Sequence, residues 1–88
     1  MEVIWKYKIE IADGLSLVIP TGGKILCVQA QGGDPYMWIR VDPTKPTEER
    51  EFLIFGTGYR LPENPGKYIG TFQRLDGGLV LHIFEEEL

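Results

Sequence analysis

Apolar and polar residues alternate along this chain in short runs. From Val3 to Ile11 the period is two: Val3, Trp5, Tyr7, Ile9 and Ile11 fall on one side, and Glu2, Lys6, Lys8 and Glu10 on the other, with Ile4 the exception. Opposed polarity at that period predicts a strand with one face in a core and one in water. Ala12-Asp13-Gly14 signals a turn into a second strand, Leu15 to Ile19, and Pro20-Thr21-Gly22-Gly23 signals the next. Lys24 to Gln31 is a third strand, with Ile25, Cys27 and Gln29 opposite Leu26, Val28 and Ala30. Apolar residues on both faces predict a central position for it. A tight turn at Gly32-Gly33-Asp34-Pro35 should join it as a hairpin to a fourth strand, Tyr36 to Val41.

Asp42 to Glu49 reads as a polar loop holding Pro43 and Pro46, with weak helix-start character at Thr47-Glu48-Glu49-Arg50, enough for one helical turn. Glu51 to Phe55 is a fifth strand, and Gly56 to Gly66 is the longest irregular segment. Lys67 to Leu75 and Leu79 to Glu85 form a final hairpin around Asp76-Gly77-Gly78, where glycine supplies the positive φ that a tight turn needs. Eleven glycines and six prolines break the chain, and no run has helical periodicity. About seven strands joined mostly by hairpin-length loops predict an all-β fold, a single small antiparallel β-sandwich or barrel spanning residues 1–88.

Composition narrows the function classes. Hydrophobic residues make up 43% of the chain and charged residues 25%, which are globular values. No apolar run approaches the ~18 residues of a membrane span. The first residues carry acids and lysines between their apolar positions, unlike a signal peptide, so the expected compartment is the cytoplasm. One cysteine and one histidine exclude an internal disulfide framework and a Cys/His zinc site within one chain. A net charge of −4 leaves no overall basic footprint for nucleic acid, although Arg40, Arg50, Arg60 and Arg74 leave room for a local patch. Glu85, Glu86 and Glu87 read as a solvated tail. A domain this small has a thin stability margin. With its aromatic-rich strands, that margin predicts a homo-oligomer.

Two features could carry chemistry. Gly56-Thr57-Gly58 lacks the spacing of a phosphate-binding P-loop and the βαβ setting of a dinucleotide fold, and by itself it reads as a strand exit with positive φ. Tyr59 and Arg60 follow at once, however. Backbone donors, an aromatic ring and an arginine on one loop suit a nucleotide or anion. Trp38, Arg40 and Asp42 alternate along the fourth strand and Tyr36 joins them. This stripe is either a ligand wall or a half-exposed face on which Arg40 pairs with an acid, and its composition is that of an interface hot spot. Trp38, Arg40, Thr57, Tyr59 and Arg60 are therefore the candidate ligand-binding residues. His82 reads as a structural or surface residue and Cys27 as an inert buried thiol, with Ser16 the sole serine. No catalytic residue, metal or cofactor is implied.

The runs Val3-Ile4-Trp5-Lys6-Tyr7, Val41-Asp42-Pro43, Ile54-Phe55-Gly56-Thr57-Gly58, Tyr68-Ile69-Gly70-Thr71-Phe72 and His82-Ile83-Phe84-Glu85 resemble a family of small tailed-phage and prophage proteins of unknown function. In that family a histidine often follows the Gly-Thr-Gly, where this chain has Tyr59. No metal or acid–base role is carried over to that position. The resemblance implies a bacterial host cytoplasm. By that context the expected role is a non-enzymatic binding protein that counters host defence by sequestering a nucleotide-derived immune signal. The alternatives are an inhibitor that binds a host protein through a sheet edge or aromatic face, and a phage assembly accessory.

Overall fold

The computed structural model describes residues 1–74 and 78–87. They contain β1 (Val3–Lys8), β2 (Gly14–Pro20), β3 (Lys24–Gln31), β4 (Asp34–Val41), β5 (Thr47–Gly56), β6 (Lys67–Gln73) and β7 (Val80–Glu85), and no helix. The strands form two antiparallel sheets, one in the order β1-β4-β3 and one in the order β2-β5-β7-β6. The sheets share one core: Met37, Ile39 and Val41 of β4 cluster with Ile19 of β2, Phe52 and Ile54 of β5, Phe72 of β6, and Leu81 and Ile83 of β7. Each such side chain contributes about 1.5–3 kcal/mol on burial. The expected all-β sandwich of about seven strands is the fold observed.

The β3–β4 hairpin forms as expected. Gly32 and Gly33 both have positive φ, 60° and 90°, as a two-residue type I′ turn requires. β6 and β7 pair as the final hairpin, and the expected turn at Asp76-Gly77 lies outside the described residues.

Several expectations need correction. Thr47 to Arg50 does not make a helical turn but opens β5, because its residues pair with Leu17 to Pro20 of β2. β3 is an edge strand, and β4 is the centre of its sheet. A bulge at Leu26 explains the misleading apolar pattern of β3, since one extra residue inverts the alternation beyond it. Cys27 and Gln29 therefore share the outer face with Trp38 and Tyr36, their partners on β4, and Cys27 is partly exposed rather than buried. Finally, β1 stops at Lys8, and Trp5 and Ile11 remain 42% and 38% exposed, because β1 lies at a sheet edge where the core thins.

The sheets approach most closely between β3 and β6. A Cβ on Gly70 would sit 3.2 Å from Cβ of Val28, so a larger residue there would require Val28 to give by a few tenths of an ångström. Near this seam Arg50 spans the layers. Its guanidinium donates through Nε and Nη2 to both carboxylate oxygens of Glu85 and through Nη1 to the Gly23 carbonyl. Glu85 is thus the anchor of the last strand and not part of a solvated tail.

On the outer face of β5 a hydrogen bond to Glu51, with its charge, holds the Glu49 carboxyl above its ordinary range. A raised acid binds its proton more tightly in the folded state. Its contribution to stability is therefore present below the ordinary carboxylate pKa and lost as pH rises through the raised value. Glu49→Gln is expected to raise the melting temperature at neutral pH, with the gain vanishing below about pH 4. Thermal melts of the two proteins across that range measure it.

Candidate ligand-binding site

The five sequence-predicted residues fall on two opposite surfaces. Trp38 and Arg40 point outward from the three-stranded sheet, since their neighbours Met37, Ile39 and Val41 point into the core. Thr57 and Tyr59 follow β5 and line a cavity over the outer face of the four-stranded sheet, and Arg60 is the next residue, exposed and outside the lining. The core separates the two groups, so one chain does not bring all five into one site.

On the first surface, β4 carries Tyr36 and Trp38 as a tilted ring pair with centroids 6.1 Å apart. Lys6 lies 4.6 Å from the Tyr36 ring centre and donates to Gln31 Oε1 at 2.9 Å. Arg40 pairs with Glu2 at 2.7 Å, not with Asp42. Asp42 instead accepts from the amide and hydroxyl of Thr44, which hold its carboxyl below the ordinary range.

The second surface contains a cavity of about 280 Å³, lined by Phe55, Gly56, Thr57, Gly58, Tyr59, Leu61, Tyr68, His82 and Phe84. Cross-strand register builds its floor. Phe55 and Thr71 both pair with His82, and Leu53 and Tyr68 both pair with Phe84, so these side chains emerge on one face. Phe84 stands edge-to-face with Phe55 at 5.7 Å and with Tyr68 at 5.5 Å. The loop supplies the wall: the Thr57 amide donates to the Val80 carbonyl, the Tyr59 amide turns back to Gly56, and the Tyr59 ring lies 3.4 Å from where a Cβ on Gly56 would be. Gly58, at φ 89°, permits that reversal.

His82 is the polar centre of this floor. Its Nε2 is 2.8 Å from the Thr57 hydroxyl and its Nδ1 is 2.9 Å from the Thr71 hydroxyl, which in turn is 2.6 Å from the Tyr68 hydroxyl. Counting donors gives two complete arrangements. With the proton on Nε2, Tyr68 donates to Thr71, Thr71 to Nδ1, Nε2 to Thr57, and Thr57 to the Val80 carbonyl, 3.4 Å away. With the proton on Nδ1, the direction reverses, and the Tyr68 hydroxyl is free to donate outward. The chain thus offers a ligand either an acceptor or a donor at Tyr68 without leaving a group unpaired.

Two larger hollows lack this chemistry. One, of about 600 Å³, lies between Asn64–Gly66 and the acidic pair Glu86 and Glu87. The other, of about 440 Å³, lies over the Arg50–Glu85 pair, whose charges already satisfy each other.

Sequence reasoning identified the loop but missed Phe55, Tyr68, Thr71, His82 and Phe84 as its partners. Their convergence depends on three strands and on a bulge at Ile69. The one available signal was that His82 and Phe84 alternate with the apolar Leu81 and Ile83, which places them outward.

No curated protein matches the chain, and no solved structure does. The resemblance pointed to an uncharacterised family, and residues 1–88 match one described as a domain of unknown function, DUF7352, to which the chain belongs.

Proposed function

We propose that this is a non-enzymatic binding protein that takes a small nucleotide-derived ligand by its base in the cavity beneath Gly56 to Leu61. The observation that carries the reading is the cavity's composition: four aromatic rings around a histidine whose hydrogen-bond chain adapts to donor or acceptor. Aromatic side chains stack on any base, and the polar chain recognises its edge. The volume, near the lower end of ligand pockets, suits a ring and leaves the sugar and phosphate at the mouth. Arg60 is exposed beside Tyr59 with no hydrogen bond or ion pair among the described residues, and is the group to meet a phosphate. Rings and hydroxyls aimed at the cavity support binding over catalysis. The biological setting, capture of a nucleotide immune signal in the cytoplasm of a phage-infected bacterium, rests on the family resemblance alone.

Calorimetric titration with a panel of nucleoside monophosphates and cyclic nucleotides tests this, alongside mass spectrometry of small molecules carried through purification from infected cells. Tyr68→Ala is expected to weaken binding by about 5- to 150-fold, the equivalent of ~1–3 kcal/mol of stacking. Trp38→Ala should leave the affinity unchanged. No bound or carried nucleotide at all would end the reading.

A second reading, inhibition of a host protein, is favoured by the other surface, where Tyr36, Trp38, Lys6, Lys8, Lys24 and Arg40 share one outer face in an acidic chain. Trp38→Ala would then abolish capture of one host protein that wild type retains.

A further inference from the structure

We infer that the protein forms a two-fold dimer through the open edge of β1, which joins two three-stranded sheets into one of six strands. β1 ends its sheet, and among the described residues no strand pairs with its outer edge. The edge carries no proline, and Ile4 is 59% and Trp5 42% exposed on it, beside Lys6 and Lys8. A bare edge of this kind is a template for a further strand.

The direction of the backbone groups limits how a second copy can join. The Ile9 amide donates to the Pro35 carbonyl at 3.0 Å, one step beyond the Lys8–Tyr36 pair. In an antiparallel ladder these bonds alternate, so Val3, Trp5, Tyr7 and Ile9 turn their N–H and C=O toward β4. Ile4, Lys6 and Lys8 turn theirs outward. Two antiparallel copies of β1 must therefore match even-numbered residues with even-numbered residues, which centres the two-fold axis on Ile4, Trp5 or Lys6.

Charge chooses among the three. An axis at Lys6 sets Lys6 against itself. An axis at Ile4 leaves Lys8 beyond the paired length. An axis at Trp5 pairs the whole segment from Glu2 to Lys8: Glu2 with Lys8 of the second copy, Val3 with Tyr7, Ile4 with Lys6, and Trp5 with itself. Opposite charges then meet at both ends, and apolar residues meet on the inner face. Glu2 already lies against Arg40, so it would sit between two cations. The occupant of this edge is a second copy of the same chain, and this inference does not depend on the ligand reading.

Size-exclusion chromatography with light scattering tests it by charge reversal. Wild type is expected to be a dimer. Glu2→Lys and Lys8→Glu each place like charges at both ends and should weaken the dimer at least about tenfold. Mixed in equal amounts, the two variants regain opposite charges at both ends and should form a heterodimer, which also shows that each is folded. In a Cys27→Ser background, Trp5→Cys should oxidise to a disulfide-linked dimer, because a non-hydrogen-bonded pair lies within the ~4.4–6.8 Å Cα range of a disulfide. Lys8→Cys in the same background should not. A wild-type monomer at about 100 μM would overturn the proposal, since ordinary self-association of a paired strand holds at that concentration. So would a mixture that shows no preference for the heterodimer, or equal cross-linking at positions 5 and 8.

Discussion

Arg50→Ala is expected to lower the unfolding free energy by about 3 kcal/mol, a large part of the ~5–15 kcal/mol that a domain has. The side chain makes a forked pair with Glu85 and a third bond to the Gly23 carbonyl, so it ties β5, β7 and the turn between β2 and β3 together. The two side chains are only 18% and 17% exposed, so solvent screens the pair weakly. Removing one partner leaves the Glu85 carboxylate desolvated and unpaired, which is the expensive outcome. Arg50→Lys keeps the charge but not the fork, and should recover only part of the loss. The double change Arg50→Met with Glu85→Leu leaves no orphaned charge and should lie closer to wild type than Arg50→Ala does. Urea midpoints of the four proteins measure these differences. A double variant as weak as Arg50→Ala would show that packing, not the stranded charge, sets the cost.

Gly66→Ala has the second large expected effect, about 3 kcal/mol or more. Gly66 has φ of 99°, which costs an L-residue roughly 1–2 kcal/mol by itself. In addition, a Cβ there would lie 2.2 Å from the Glu85 carbonyl oxygen and 2.9 Å from its carbon. Both are backbone atoms of β7, so no side chain can swing aside. Gly58 is the control, with φ of 89° and nothing within 4 Å. Gly58→Ala should cost only the conformational part, and the difference between the two variants isolates the close approach. Because Gly66 ends the loop that walls the cavity, Gly66→Ala should also displace that wall and weaken ligand binding.

Much of this fold is legible in the sequence, for reasons that particular residues make clear. Gly32-Gly33 between two alternating runs specifies its hairpin because few other sequences give two adjacent positive φ angles. The alternation of Leu81, Ile83 and their neighbours specifies which face of β7 is buried. The face of β3 is not legible, because the bulge at Leu26 leaves no mark in composition. Trp5 looks like a core residue by period alone, and only the strand order reveals that β1 is an edge. Arg50 and Glu85 are 35 residues apart, and each looks solvent-facing until register brings them together. The candidate site divides in the same way. Thr57 and Tyr59 were visible as a loop signature, but the floor of His82, Tyr68, Thr71 and Phe84 needs the registers of β5, β6 and β7 at once. Trp38 and Arg40 were grouped with the loop because sequence does not state which sheet a strand joins.

The proposed site places a planar ligand on the four-stranded sheet between the Gly56-Thr57-Gly58 loop and His82. Nuclear magnetic resonance with labelled amides and histidine ring nitrogens, titrated with the tightest nucleotide of the panel, tests it most directly. Shifts are expected at Gly56 to Tyr59, Tyr68, Thr71, Phe84 and both His82 ring nitrogens, with Tyr36 and Trp38 unmoved. Shifts centred on Trp38 and Arg40, with the His82 nitrogens unchanged, would contradict it.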